Sequence, residues 1–168
     1  EQLFADTAIF IPTRPIPSGV ATGHGSRGTG AHGKVENEDY VSALARDEGG
    51  AIATLEASRV AVGPRAEYVL EVYGSEGSLR WNFEHLNDLE LCIGRDNEFP
   101  GYTRVMAGAN FPSFSRFQPS PGTSMGFDAA KGVEAAQFIE SVLTGRQLAP
   151  SAADAWAAAE VDEAAMRS

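Results

Sequence analysis

Between Ala51 and Phe83 the chain reads AIATLEASRVAVGPRAEYVLEVYGSEGSLRWNF, three strand-like runs in tandem. Side chains of a strand alternate between its two faces, so residues two apart share a side. In the first run Ala51, Ala53, Leu55 and Ala57 share one face, opposite Ile52, Thr54, Glu56 and Ser58. Gly63-Pro64 breaks the pattern, after which Tyr68, Leu70 and Val72 lie opposite Glu67, Val69, Glu71 and Tyr73. The tight link Gly74-Ser75-Glu76-Gly77 leads to Leu79, Trp81 and Phe83. A link this short joins only antiparallel neighbours, because a parallel pair needs a crossover of about a dozen residues or more. Such a stretch dictates hairpins.

The same pattern extends to both sides. Gln2 to Ile11 reads as a first strand, with Leu3, Ala5, Thr7 and Ile9 on one side. From Tyr40 to Arg46, Tyr40, Ser42 and Leu44 alternate with Val41, Ala43 and Ala45, and Asp47-Glu48-Gly49-Gly50 turns the chain back. Two further strands are predicted at Leu89 to Ile93 and Tyr102 to Met106. About six or seven strands on mostly short turns make an antiparallel meander. Several are apolar on both faces, so helices are expected on one face and a second subunit on the other.

Helical periodicity takes over near the C-terminus. Ala135, Phe138, Ile139, Val142 and Leu143 fall on one stripe, with Asp128 as the expected cap and Gly145 as the stop. Ser151-x-x-Asp154 resembles a capping box ahead of a second, alanine-rich helix from Ala152 to about Arg167. It carries Trp156, Val161 and Met166, and its Glu160, Asp162 and Glu163 read as a solvated face.

Two segments read as loops. Pro12, Pro15 and Pro17 stop the first strand, and the run holding Gly19, Gly23, Gly25, Gly28, Gly30 and Gly33 reads as a long arm. Within it Gly23-His24-Gly25-Ser26-Arg27-Gly28 has the spacing of a dinucleotide-binding turn. That turn works only between a buried strand and a helix whose N-terminus meets the pyrophosphate. Prolines precede it and further glycines follow, so no cofactor-binding role is assigned. His24 and His32 read as solvated rather than as metal ligands. The second loop, Ala109 to Gly126, interleaves Asn110, Ser113, Arg116 and Gln118 with Phe111, Phe114 and Phe117. Aromatic walls with a few polar handles suit a sugar-like ligand, but phenylalanines that pin a loop onto the sheet are the favoured reading. Arg116, Ser113, Asn110 and Phe117, with His24 and Arg27 on the arm, are the substrate-side candidates.

Composition excludes some functions. A net charge of −10 over 168 residues gives no basic surface for nucleic acid. No apolar run approaches the roughly 20 residues of a membrane span. The single Cys92 cannot form an internal disulfide; a buried, inert thiol and a cytoplasmic setting are expected. The first residue is Glu, as expected of a processed product or a piece of something longer.

Taken together, Val35-Glu36-Asn37-Glu38-Asp39-Tyr40, Gly49-Gly50-Ala51 with Leu55-Glu56-Ala57-Ser58-Arg59, and Glu71-Val72-Tyr73-Gly74-Ser75-Glu76-Gly77-Ser78-Leu79 form a pattern. It resembles the C-terminal domain of the Gfo/Idh/MocA (glucose–fructose oxidoreductase / inositol 2-dehydrogenase) oxidoreductases. Pro121-Gly122 through Gly126-Phe127, then Glu134 and Phe138, and the ending Ala164-Ala165-Met166-Arg167-Ser168 are similar to that family too. The resemblance implies an α+β fold: an open, predominantly antiparallel β-sheet with helices packed on one face, like the C-terminal domain of GAPDH. It also implies that residues 1–168 are one C-terminal substrate and oligomerisation domain. The N-terminal Rossmann domain, which would bind NAD or NADP and carry a catalytic lysine in a Glu-Lys-Pro motif, is absent from this sequence. Lys34 and Lys131 match no such motif, so no catalytic residue is assigned.

The function so implied is the substrate side of an NAD(P)-dependent oxidoreductase acting on a sugar, inositol or related polyol, inactive alone. Its expected partners are its own Rossmann domain, a polyol substrate and further copies of itself through the open sheet face. The alternatives are a self-standing assembly module without cofactor, and part of a family member with NAD-dependent glycoside-cleaving chemistry. Arg59 is expected to pair with a carboxylate near the sheet edge.

Overall fold

The computed structural model describes residues 2–18, 28–95, 100–118, 120, 122–148 and 150–168. The chain divides into two compact units, one of Glu1–Val62 with Ala152–Ser168 and one of Gly63–Ser151.

In the first unit, β1 (Gln2–Ala8), β4 (Tyr40–Arg46) and β5 (Ile52–Ser58) form an antiparallel sheet in the order β1-β4-β5. Between β1 and β4 the chain makes a two-stranded ribbon, β2 (Thr13–Pro17) with β3 (Gly28–Lys34). The β4–β5 hairpin has the expected turn. Asp47 Oδ1 accepts from Ala51 N at 2.8 Å, and Gly50 takes a φ of +85°, which favours glycine. Its register sets Ala43 between Ala5 and Leu55, and Ala43 is buried. On that side, α2 (Ala152–Arg167) lines an apolar cavity of about 800 Å³, with Ala157, Val161 and Ala164 facing Leu3, Ala45 and Ala53. Ser168 Oγ accepts from Ala5 N at 2.8 Å, fixing the end of α2 to β1. The opposite face carries Phe4, Leu44 and Ile52, all exposed.

The second unit is the four-stranded meander β6 (Val69–Tyr73), β7 (Gly77–Asn82), β8 (Asp88–Ile93) and β9 (Thr103–Met106). The pairing puts Leu70, Trp81, Leu89 and Val105 in one row across it. This apolar face is edged by rings in edge-to-face contact: Tyr68–Trp81, Trp81–Phe83 and Phe83–Phe127, with centroids 6.0 to 6.4 Å apart. Phe127 begins α1 (Phe127–Thr144), so the aromatic row docks the start of that helix. Gly145 ends it with φ +66°.

Four details depart from the sequence reading. The three tandem runs do not share a sheet: β5 lies in the first unit and β6 and β7 in the second, divided at Gly63-Pro64. Residues 28–34 of the glycine-rich arm form a strand, because glycine permits close backbone approach; a Cβ on Gly28 would lie 2.4 Å from Pro15 Cβ. The cap of α1 is Gly126 without a side-chain bond, and Asp128 sits in the first turn, where its charge suits the helix dipole. The stripe of Phe138, Ile139, Val142 and Leu143 is exposed, and the less accessible side of α1 is Ala129, Val133, Gln137 and Ser141.

Candidate functional site

Asp39 is the most constrained polar group of the first unit. Its carboxylate is fully buried, pairs with Arg14 through Oδ1, and accepts from Phe10 N at 3.0 Å and Ile11 N at 2.8 Å through Oδ2. Its own N–H donates to Ala8 O, and its carbonyl accepts from Arg59 N. Asp39 therefore ends β1, anchors β2 and joins β4 to β5 at one point. A buried carboxylate is stable only with such donors around it. These bonds also explain why β1 stops at Ala8 rather than at Ile11. Arg59 Nη1 donates to Glu38 O at 3.5 Å instead of to a carboxylate.

The Phe-rich loop of the second unit is a string of turns. Phe114 N and Ser115 N donate to Phe111 O, and Phe117 N and Gln118 N donate to Phe114 O. The Phe111 and Phe114 rings lie 5.8 Å apart. Phe117 packs onto α1, where a Cβ on Gly132 would lie 3.2 Å from its ring. Asn110, Ser113 and Arg116 are exposed, and none of them lines a described cavity. Gln118 is buried, and neither its Nε2 nor its Oε1 has a hydrogen-bond partner. His24 and Arg27 lie outside the described residues.

The remaining polar concentration is the second face of the β6–β9 sheet. Glu71 lies opposite Arg80, Arg80 opposite Glu90, and Glu90 opposite Arg104, so one row of alternating charge crosses all four strands, with Arg104 in an ion pair with Asp88 at 3.6 Å. Arg80 Nε lies 3.1 Å from Glu71, and its guanidinium donates twice to Tyr73 Oη, at 3.2 and 3.0 Å. Its Cζ sits 4.7 Å from the centre of the Tyr102 ring. The hydrogen bond to Tyr73 and the nearby oxygens raise the Arg80 pKa. The row borders a shallow cavity of about 490 Å³ that also meets Asn82, His85 and Asp88. Cys92, read as a buried thiol, is partly exposed, because it shares the strand parity of Asp88 and Glu90.

The sequence reading missed both the Asp39 node and this charged row. The parity of Glu71, Arg80, Glu90 and Arg104 within their own runs is visible in the sequence, but their alignment needs the register of three successive turns.

Residues 4–80 match the model of the GFO/IDH/MocA C-terminal domain. Over that stretch the chain is similar to GFO/IDH/MocA C-terminal domains. It is 32% identical over 162 residues to levoglucosan dehydrogenase of Pseudarthrobacter phenanthrenivorans, matching 95% of this chain and 42% of that protein. A solved levoglucosan dehydrogenase in complex with NADH and L-sorbose superposes with a TM-score of 0.85 at 29% identity. That match covers 98% of this chain and 42% of the other. An oxidoreductase domain protein from Kribbella flavida gives a TM-score of 0.81 at 26% identity, over 98% of this chain and 43% of the other. The chain thus spans under half the length of these relatives.

The described residues after the glycine motif do not have the strand-to-helix form of a dinucleotide turn. Gly28, its last residue, opens β3, so among the described residues a strand stands where a helix N-terminus would have to meet a pyrophosphate. Among the described residues no three His, Cys, Asp or Glu side chains are grouped to hold a metal, and no helix is long and apolar enough to cross a membrane. Lys34 and Lys131 are exposed and paired with Glu36 and Glu134 at 3.6 and 2.6 Å.

Proposed function

We propose that this chain is the substrate-side and oligomerisation domain of an NAD(P)-dependent oxidoreductase acting on a sugar, inositol or related polyol in the cytoplasm. The observation that carries this reading is the match along 98% of the chain to a dehydrogenase whose solved structure holds NADH and L-sorbose. The apolar surface supports it. Among the described residues only Val35, Ala43 and Met125 are buried apolar side chains, while Phe4, Leu44, Ile52, Phe138, Val142 and Leu143 are exposed. Apolar surface of this extent belongs against other protein, here the cofactor-binding portion of the enzyme and a second subunit. The Phe-rich loop with Asn110, Ser113, Arg116 and Phe117 contributes a wall of the substrate pocket, and His24 and Arg27 remain weaker substrate-side candidates.

The test is made on the complete natural polypeptide. Incubated with NAD or NADP and a panel containing levoglucosan, inositols and aldoses, it should form the reduced cofactor with at least one polyol, and residues 1–168 alone should form none. Absence of cofactor binding by the complete polypeptide would leave a cofactor-free assembly module. A cleaved glycoside among the products, without net cofactor reduction, would identify the glycoside-cleaving alternative.

A further inference from the structure

We infer that the charged row Glu71–Arg80–Glu90–Arg104 is a self-complementary key that fixes how a second copy of this chain docks on the open face of the β6–β9 sheet. The inference rests on the proposed oligomerisation through that face and adds its orientation and specificity. The apolar side of the sheet is occupied at the aromatic row by the start of α1, through Phe83 and Phe127. The charged side has Tyr73, Val69 and Met106 at its margins, each about half exposed or more. Aromatic and Met side chains around a central Arg are the composition of an interface centre.

Charge order decides the symmetry. Across the strands the row reads minus, plus, minus, plus. Two copies stacked face to face are related by a two-fold axis lying between the sheets. With the axis parallel to the strands and passing between β7 and β8, the order reverses, so Glu71 meets the partner's Arg104 and Arg80 meets the partner's Glu90. With the axis across the strands, every charge meets its own copy and is repelled. Both arrangements keep the strands of the two sheets nearly aligned, as stacked sheets prefer, so charge order alone separates them. Arg80 is held ready for this contact by Tyr73 and Tyr102, so little of its side-chain freedom remains to be lost on docking. Four strands about 4.8 Å apart and five residues long present a footprint of only roughly 300 Å². The row therefore sets register and partner choice rather than supplying most of the affinity.

The experiment uses two variants of the complete polypeptide, followed by sedimentation velocity at low and high salt with circular dichroism as the folding control. Glu71→Arg with Glu90→Arg makes the row entirely cationic; Arg80→Glu with Arg104→Glu makes it entirely anionic. Each variant alone should self-associate at least about tenfold more weakly than the parent, and an equimolar mixture should regain association as a heterodimer at low salt. Should either double variant fail to fold, Arg104→Glu alone should weaken association, and adding Glu71→Arg should restore it. That rescue worsens the neighbouring charge pairs within one sheet, so an intrachain effect predicts the opposite. Association of both variants at the parental strength, or a mixture no stronger than its components, overturns the inference and leaves oligomerisation through another surface standing. A monomeric parent overturns the oligomerisation reading as well.

Discussion

Asn87 reads the backbone of Met125 with both ends of its amide: Nδ2 donates to Met125 O at 2.9 Å, and Oδ1 accepts from Met125 N at 2.8 Å. The side chain thus acts as one rung of a β-ladder between the β7–β8 connection and the segment that enters α1. Met125 is buried, so losing the rung strands a buried backbone pair. Asn87→Ala should lower the stability of the second unit by about 1–3 kcal/mol in urea unfolding. Asn87→Asp should cost more, because it sets a carboxylate oxygen against the Met125 carbonyl. Equal stability of parent and Asn87→Asp would show that the rung carries no weight.

The Asp39 node gives a larger effect. Removing one partner of a buried ion pair typically costs about 3–5 kcal/mol. Asp39→Ala should fall in that range, and Arg14→Ala should cost less, since Arg14 is a third exposed and Asp39 keeps its two backbone donors. The double variant should be less destabilised than the sum, which a double-mutant cycle by thermal unfolding measures directly. Additive costs would refute the coupling.

Gly77 shows where glycine is required by contact rather than by φ. A Cβ there would lie 2.6 Å from the Cys92 carbonyl oxygen, a backbone atom that moves only with β8. Gly77→Ala should destabilise by about 1–3 kcal/mol. Gly126, with extended φ and nothing within 4 Å, is the control: Gly126→Ser adds a capping hydroxyl to α1 and should be neutral or stabilising by about 0.5 kcal/mol.

Glu84 should leave a mark on the acid limb of stability. Its carboxylate accepts from Arg65 N at 2.7 Å and Ala66 N at 3.0 Å, and these bonds lower its pKa in the folded chain. A depressed carboxylate contributes its stabilisation in full above the unfolded value of about 4.3 and loses it as pH falls through the folded value. The melting-temperature advantage of the parent over Glu84→Gln should therefore be constant near neutrality and shrink below about pH 4.3. A pH-independent difference would remove titration as its cause.

On the proposed function, Arg116→Ala in the complete polypeptide should raise the KM for the polyol several-fold with kcat little changed, because Arg116 is exposed on a loop built from turns and carries no described ion pair. An unchanged KM in a stable variant would take Arg116 out of the pocket.

Strands were legible wherever two-residue periodicity met a recognisable turn, as between Arg46 and Ile52. The strand at residues 28–34 was not, because glycines have no side chains to alternate and pair through backbone alone. For α1 the sequence located the apolar stripe but not the side that packs within the chain. Hydrophobicity marks a face that wants a partner, and here the small side chains of Ala129 and Ser141 turn inward instead. Arg14 and Asp39 lie 25 residues apart with no local signal joining them. The candidate site was least legible, since its loop residues share composition with any surface turn.

The hydrogen bond from Ala5 to Ser168 spans 163 positions of sequence. The first unit is thus closed by α2, which follows the whole of the second unit in sequence, whereas the second unit is one continuous stretch from Gly63 to Ser151. Synthesis therefore imposes an order of assembly: the β6–β9 meander can complete itself on the nascent chain, while the β1–β4–β5 sheet waits with its alanine face uncovered until translation reaches α2.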